Sequence, residues 1–299
     1  MMNLSRHQFA LVLLFVTPAL WSVNYLVARS APGQIEPHAL ALLRWLMASL
    51  LFGFGHWAEI WAARRQILRD WKQYLLLGAL GMWICGAWLY IGGRTTVAVN
   101  IALIYSISPV LIFIASALWL KERVGWVQFV GVLIALAGVL HVVVKGQRVS
   151  LATVRWEQGD AWVMAAALSW AAYSLLLRRW TSTLAVSARL AVIALAGVIV
   201  LAPFTLLEAL QNPQPLPTLS GFGLSVAAAL FPGYGAYLAF SVMQRELGAA
   251  RASVVQYLGP IYAALIAWMV LGEPILLHHW IGLGLILPGI YLVNRREKD

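Results

Sequence analysis

The sequence predicts an all-α integral membrane protein, with ten transmembrane helices forming two inverted-topology five-helix repeats. Three observations predict it. The 299 residues are 62% hydrophobic and only 11% charged, with a mean hydropathy of +0.81; a water-soluble chain carries about a quarter charged residues. The apolar residues gather in windows close to the ~20 residues that cross a bilayer. One apolar pattern is also written twice: "SISPVLIFIASALWLKERV" from Ser106 and "YLGPIYAALIAWMVLGEPI" from Tyr257.

The windows run over 8–28, 38–60, 73–93, 98–120, 125–144, 161–179, 187–209, 220–243, 250–272 and 277–294. The first follows Arg6 and resembles a signal peptide, but it is too long for an h-region and has a counterpart later in the chain. "APGQIEPH" ends it, and "QNPQPLPT" separates the seventh window from the eighth. The longest interruption, "KGQRVSLATVRWEQGD", falls at the midpoint. The expected organisation is a first repeat over 1–145, an outer linker over 146–160 and a second repeat over 161–299.

The repetition covers most of both halves. Pro109, Glu122, Gly131 and Gly138 answer Pro260, Glu273, Gly282 and Gly289. In the first and sixth windows, "LWSVNYLVAR" matches "SWAAYSLLLR", so Trp21 answers Trp170; in the third and eighth, "GAWLYI" matches "GAYLAF". The repeat unit therefore holds five helices. Because five is odd, equivalent helices cross in opposite directions, which is the inverted topology of many carriers.

Lysine and arginine orient the chain. With a cytoplasmic N-terminus, the inner segments hold Arg64, Arg65, Arg69, Lys72, Lys121, Arg123, Arg178, Arg179, Arg245 and Arg251, among others; the outer ones hold only Arg29, Arg94, Lys145, Arg148 and Arg155. Both termini are expected in the cytoplasm. The net charge of +10 is thus a topology signal, and no nucleic-acid partner is expected. Cys85 is the one cysteine, which rules out an intrachain disulfide. His/Cys clusters and Gly-rich phosphate loops are absent from the sequence, so neither a metal nor a cofactor is expected.

The doubled Pro–apolar run–Glu–apolar Gly pattern resembles the EamA-type domains of the drug/metabolite transporter superfamily over nearly the whole chain. Through "LWSVNYLVA" and its Trp/Tyr-rich windows, the first half is similar to YddG-type aromatic amino acid exporters. The fourth window departs from that pattern, with "YSISP" where bulkier aromatics are expected. The resemblance implies a monomeric carrier of the cytoplasmic (inner) membrane, surrounded by lipid, that exports small metabolites by alternating access. Its expected cargo is amino acids, aromatic and other neutral ones. Other small metabolites or drugs are the alternative. An intramembrane enzyme would need a nucleophile–base or metal constellation, which the windows lack; a small-pore channel is a further alternative. No mid-membrane carboxylate is available for a proton relay, so gradient-driven exchange or uniport is expected.

Candidate substrate-binding residues are polar or aromatic groups placed to face the bundle interior. Trp21, Asn24 and Tyr25 share one helical face, and Trp170 and Tyr173 occupy the equivalent face of the sixth window. Trp83, Tyr234 and Tyr237 enrich the third and eighth windows. Ser106, Ser108, Gln256 and Tyr257 flank Pro109 and Pro260, which interrupt their helices, free a carbonyl and are read as hinges. Each of these also has a packing or anchoring reading. Arg44 is a charge deep in an apolar run; it either receives a substrate carboxylate or extends to the outer surface. Arg189 is expected to snorkel to the cytoplasmic surface.

Overall fold

The computed structural model describes residues 5–96, 98–146, 156–212, 217–271 and 274–295, and these are all-helical, with turns between. The central linker and Glu273 fall largely or wholly outside them. Among the described residues, eight helices are long and apolar enough to cross a membrane.

Helix α1 (Arg6–Ser30) starts at a capping box, in which Ser5 Oγ accepts from Gln8 N–H and Gln8 Oε1 from Ser5 N–H. Helix α2 (Pro37–Gly53) opens with proline, whose missing N–H costs nothing in the first turn. The second window was expected to stay helical to residue 60. Instead it stops at Gly53, and Gly55 takes a φ of 75° that turns the chain. Short helices α3 (Trp57–Ala62) and α4 (Arg64–Arg69) lead into α5 (Trp71–Gly92).

The fourth window also departs from expectation. It is two helices, α6 (Ala98–Ser106) and α7 (Ser108–Leu118), parted at Ile107. Helices α8 (Trp126–Val143), α9 (Gln158–Arg179), α10 (Val186–Gln211) and α11 (Leu219–Leu247) follow. The ninth window begins as α12 (Ala249–Ser253), tightens into a 3₁₀ turn over Val254–Leu258 and resumes as α13 (Gly259–Leu271). Helix α14 (Leu277–Asn294) ends the described chain. Pro109 and Pro260 were expected to kink continuous helices. Each is instead the second residue of a restarted helix, where a missing donor is harmless.

Helices α2 and α10 lie antiparallel and are tied at both ends. Glu208 accepts from the N–H groups of His38 and Ala39, at 2.9 and 3.2 Å. At the opposite end Glu59 accepts from Ala185 N–H at 2.6 Å. Neither N-cap residue makes a capping bond of its own, so each carboxylate satisfies amides that would otherwise be orphaned. The Ala185 amide, and then the His56 ring, hold the Glu59 carboxyl below its usual pKa. Its stabilising effect is therefore present above the unfolded carboxyl pKa of about 4.3 and lost as pH falls through the folded value. Glu122 likewise accepts from Ala249 and Ala250 N–H at the start of α12.

Helices α8 and α14 touch at glycines. A Cβ on Gly131 would meet the Gly289 carbonyl at 2.7 Å, and one on Gly138 the Gly282 carbonyl at 2.8 Å. The pairing 131–289 and 138–282 makes the helices antiparallel. These are the glycines that answer one another in the repeated pattern. Without a hydrophobic drive between helices in lipid, such close backbone approach supplies the packing. Outside the core, Leu50, Leu118, Ile199, Leu210 and Met269 are exposed, as a lipid-facing surface requires.

Gly138→Ala should destabilise the protein by about 1–3 kcal/mol through overpacking. Gly284, on the same α14 but with nothing within 4 Å of its Cβ position, is the control: Gly284→Ala should be neutral or gain up to about 1 kcal/mol from helix propensity. Thermal unfolding in detergent measures both.

Candidate substrate site

Two membrane-spanning helices change hydrogen-bond register at comparable places. Ala79–Ile84 in α5 and Ala229–Gly235 in α11 are wound as π-helix, a feature frequent at functional sites. Cys85 N–H bonds back to Leu80 rather than to Gly81, and Ala236 N–H to Phe231 rather than to Pro232. The carbonyls of Gly81 and Pro232 thus lose the donor that an α register would supply. Each takes a side chain from the other half of the chain: Tyr237 Oη donates to Gly81 at 3.0 Å, and Arg44 Nη2 to Pro232 at 3.2 Å.

Arg44 is 4% exposed, so it does not extend to the outer surface. Nη1 donates to Tyr90 Oη at 3.2 Å and, at a long 3.4 Å, to Asn24 Oδ1, which also accepts from Tyr90 Oη. Its guanidinium carbon lies 4.6 Å from the Trp45 ring centre, a cation–π distance. Nε has no hydrogen-bond partner among the described residues. Every described partner of this cation is neutral. A buried charge left without a counter-charge costs several kcal/mol and inside a membrane marks a functional position.

An aromatic cluster continues from Arg44. Trp45 meets Tyr237 edge-on at 4.7 Å; Tyr237 lies 5.6 Å from Trp170; Trp170 meets Trp21 edge-on at 5.4 Å and Phe240 at 4.9 Å. Tyr173 joins at 5.6 Å from Trp170. The rings come from α1, α2, α9 and α11, and Trp45, Trp170, Tyr173 and Tyr237 are buried. Trp45 Nε1, Trp170 Nε1, Tyr173 Oη and Ser174 Oγ are buried with no protein partner among the described residues. Buried polar groups are normally satisfied. These atoms and Arg44 Nε are thus unsatisfied polar groups set among packed aromatic rings.

The structure thus gathers Trp21, Asn24, Arg44, Trp170, Tyr173 and Tyr237. Trp83 lies apart, stacked on Phe204 at 4.0 Å and edge-on to Trp88. Tyr234 packs on Phe52 at 5.0 Å. Ser106 bonds back to Leu103 in its own helix, and Ser108 donates to Ala167, tying α7 to α9. Tyr257 Oη and Gln256 Nε2, in the 3₁₀ turn, are buried without a partner among the described residues. The Tyr25 side chain is outside the described set. Ser253 Oγ is 3.4 Å from the Pro109 carbonyl, so α7 meets α12, the helix before the 3₁₀ turn. Arg189 does not snorkel: it turns inward onto the Leu177 and Trp180 carbonyls at the end of α9, where a cation offsets the helix dipole.

Sequence reasoning missed Trp45, Tyr90, Phe240 and Ser169, whose hydroxyl donates to the Leu80 carbonyl at 2.8 Å. A signal was present for three of them. Tyr90 and Phe240 lie inside the matched "GAWLYI" and "GAYLAF", and Trp45 adjoins the one deep charge.

A helical membrane protein with a buried cation and an aromatic cluster drawn from both halves belongs to the general class of membrane transporters. The comparisons narrow the class. The model of the EamA-like transporter family matches residues 8–144 and 157–295, and the chain belongs to that family. It is similar to an uncharacterized transporter of Archaeoglobus fulgidus, 27% identical over 96% of this chain and 99% of that one. A probable terminal-alkyne amino-acid exporter of Streptantibioticus cattleyicolor is 28% identical, over 99% and 95% of the two chains. An S-adenosylmethionine/S-adenosylhomocysteine transporter of Chlamydia muridarum is 24% identical, over 99% and 94%. One solved crystal structure aligns with a TM-score of 0.72 at 21% identity, covering 95% of this chain and 96% of that one; it speaks for the fold alone.

Arg44→Met should change thermal stability by no more than about 1–3 kcal/mol, because removal of an uncompensated charge offsets the lost bonds to Pro232 and Tyr90. Trp45→Ala should cost about 3–5 kcal/mol. A loss in Arg44→Met equal to that in Trp45→Ala would make Arg44 a structural pin instead.

Proposed function

We propose that this transporter exports amino acids, aromatic and other neutral ones, by alternating access between two inverted five-helix repeats that make ten spans. One observation carries the reading: a buried guanidinium with neutral partners stands beside an aromatic wall. In the proposed mechanism the substrate carboxylate pairs with Arg44, the unpartnered hydroxyls and indole N–H groups line the remaining polar edge, and the rings hold the side chain. The breaks before Pro109 and Pro260 act as hinges. The reciprocal glycine pairs of α8 and α14, and the carboxylates at both ends of α2 and α10, support the inverted arrangement: each contact has a counterpart in the other half. The lysine and arginine bias supports cytoplasmic termini, and the family resemblance supports an inner-membrane carrier that works in the export direction. No acidic residue of the sequence lies in mid-window, which supports gradient-driven exchange or uniport.

The names of two relatives favour the same chemistry, because a terminal-alkyne amino acid and S-adenosylmethionine both carry an α-amino acid head. The second of these also favours a broader reading, a larger metabolite bearing that head.

Reconstitution into proteoliposomes tests the proposal. Uptake of labelled phenylalanine and leucine should saturate, and Arg44→Gln should weaken it about 10- to 100-fold, the worth of a charge-assisted hydrogen bond. Non-saturable flux would indicate a channel, and wild-type uptake by Arg44→Gln would remove the carboxylate site. Single cysteines at Lys121 and Ile275, on a Cys85→Ser background, should label from opposite sides of the membrane.

A further inference from the structure

A cavity lies away from the aromatic cluster. It opens between the α7–α8 turn, the end of α9 and the junction of α11 with α12, with a volume of about 480 Å³. Its wall carries Lys121, Arg123, Arg178, Arg179 and Arg251 against only Glu122 and Glu246. Both acids are already engaged. Glu122 accepts from Ala249 and Ala250 N–H and lies 3.3 Å from Arg178 Nε. Gly248, at φ 90°, leaves room for that carboxylate, since a Cβ there would meet Glu122 Oε1 at 2.9 Å. Glu246 is paired with Arg245 at 3.3 Å. Lys121, Arg123, Arg179 and Arg251 therefore have no acidic partner among the described residues.

The depth of this cavity is marked by tryptophan. Trp119 and Trp126 flank the turn and are 47% and 73% exposed, and tryptophans exposed in this way settle at the headgroup level of a bilayer. Leu118, one residue before Trp119, is also exposed, on the side that meets acyl chains. A concave set of four uncompensated cations at headgroup depth, bordered by apolar surface, matches the basic pockets between helices that hold anionic lipid headgroups. Arginine forks also bind phosphate oxygens in pairs.

We propose that this cavity binds the phosphodiester group of an anionic phospholipid. The same chemistry would accept free phosphate, so the test separates the two sources. The purified full-length protein in neutral detergent is unfolded thermally with dioleoylphosphatidylglycerol, with dioleoylphosphatidylcholine, or with inorganic phosphate. The anionic lipid should raise Tm, and the other two should not. Arg179→Gln/Arg251→Gln should increase the lipid concentration needed for half the shift at least about tenfold. Should that double variant fail to fold, Lys121→Gln/Arg123→Gln on the exposed turn serves the same purpose. Arg64→Gln/Arg65→Gln, which removes two exposed cations elsewhere, should leave the shift intact. An equal shift from phosphatidylcholine, or an equal loss in the Arg64/Arg65 control, would overturn the site. An equal shift from inorganic phosphate would keep the phosphate chemistry and overturn the lipid as its source.

Discussion

A one-residue slip in hydrogen-bond register, made once in α5 and once in α11, is what the site depends on. Inside a bilayer no water satisfies a loose carbonyl, so each must find a protein partner. The slip takes the α-register donor from Gly81 and Pro232, and Tyr237 and Arg44 supply the replacements. Each bond runs from one half of the chain to the other. The same two bonds therefore tie the halves together and fix Tyr237 and Arg44, two residues of the candidate site. Arg44 gains a position but no counter-charge, and this distinguishes it from Arg178 and Arg94, which pair with Glu122 and Glu36.

Helix ends follow the same rule. Where α2, α10 and α12 begin without a capping side chain of their own, Glu208, Glu59 and Glu122 arrive from elsewhere in the chain. A carboxylate that accepts from helix N-terminal amides is stabilised by the dipole as well as by the bonds. These contacts hold helices by their ends and leave the mid-helix surfaces to glycine and aromatic packing. In the conformation described here, Trp21, Trp170 and Tyr237 rest on one another. In the proposed alternating-access mechanism, cargo would enter by parting these rings, and the Gly81 and Pro232 bonds would take the strain.

Much of this was legible in the sequence, for identifiable reasons. Hydropathy and the doubled proline–glutamate–glycine pattern located the helices and paired them, and the mirrored Trp21 and Trp170 do meet. Helix interruptions were less legible. Pro109 and Pro260 marked them, but whether a proline kinks a helix or restarts it depends on how the preceding turn is satisfied. Gly55 ended α2 early because apolar composition alone does not register a left-handed residue. The π segments, Ala79–Ile84 and Ala229–Gly235, were invisible, since register is a backbone property and the matched "GAWLYI" and "GAYLAF" begin only where they end. Without it, the Arg44–Pro232 bond could not be foreseen, and Arg44 remained suspended between cavity and surface. Trp83 was misplaced for a related reason: aromatic content names a helix, not the face on which Phe204 awaits.

The most direct test of the central claim, that Arg44 receives a carboxylate, is competition for labelled uptake in proteoliposomes by matched pairs differing only in that group. Phenylalanine is set against phenethylamine, and leucine against isoamylamine. The carboxylate reading predicts that each amino acid competes at least about tenfold more strongly than its amine, and that Arg44→Gln abolishes the difference. Equal competition by acid and amine in the wild-type protein would contradict it.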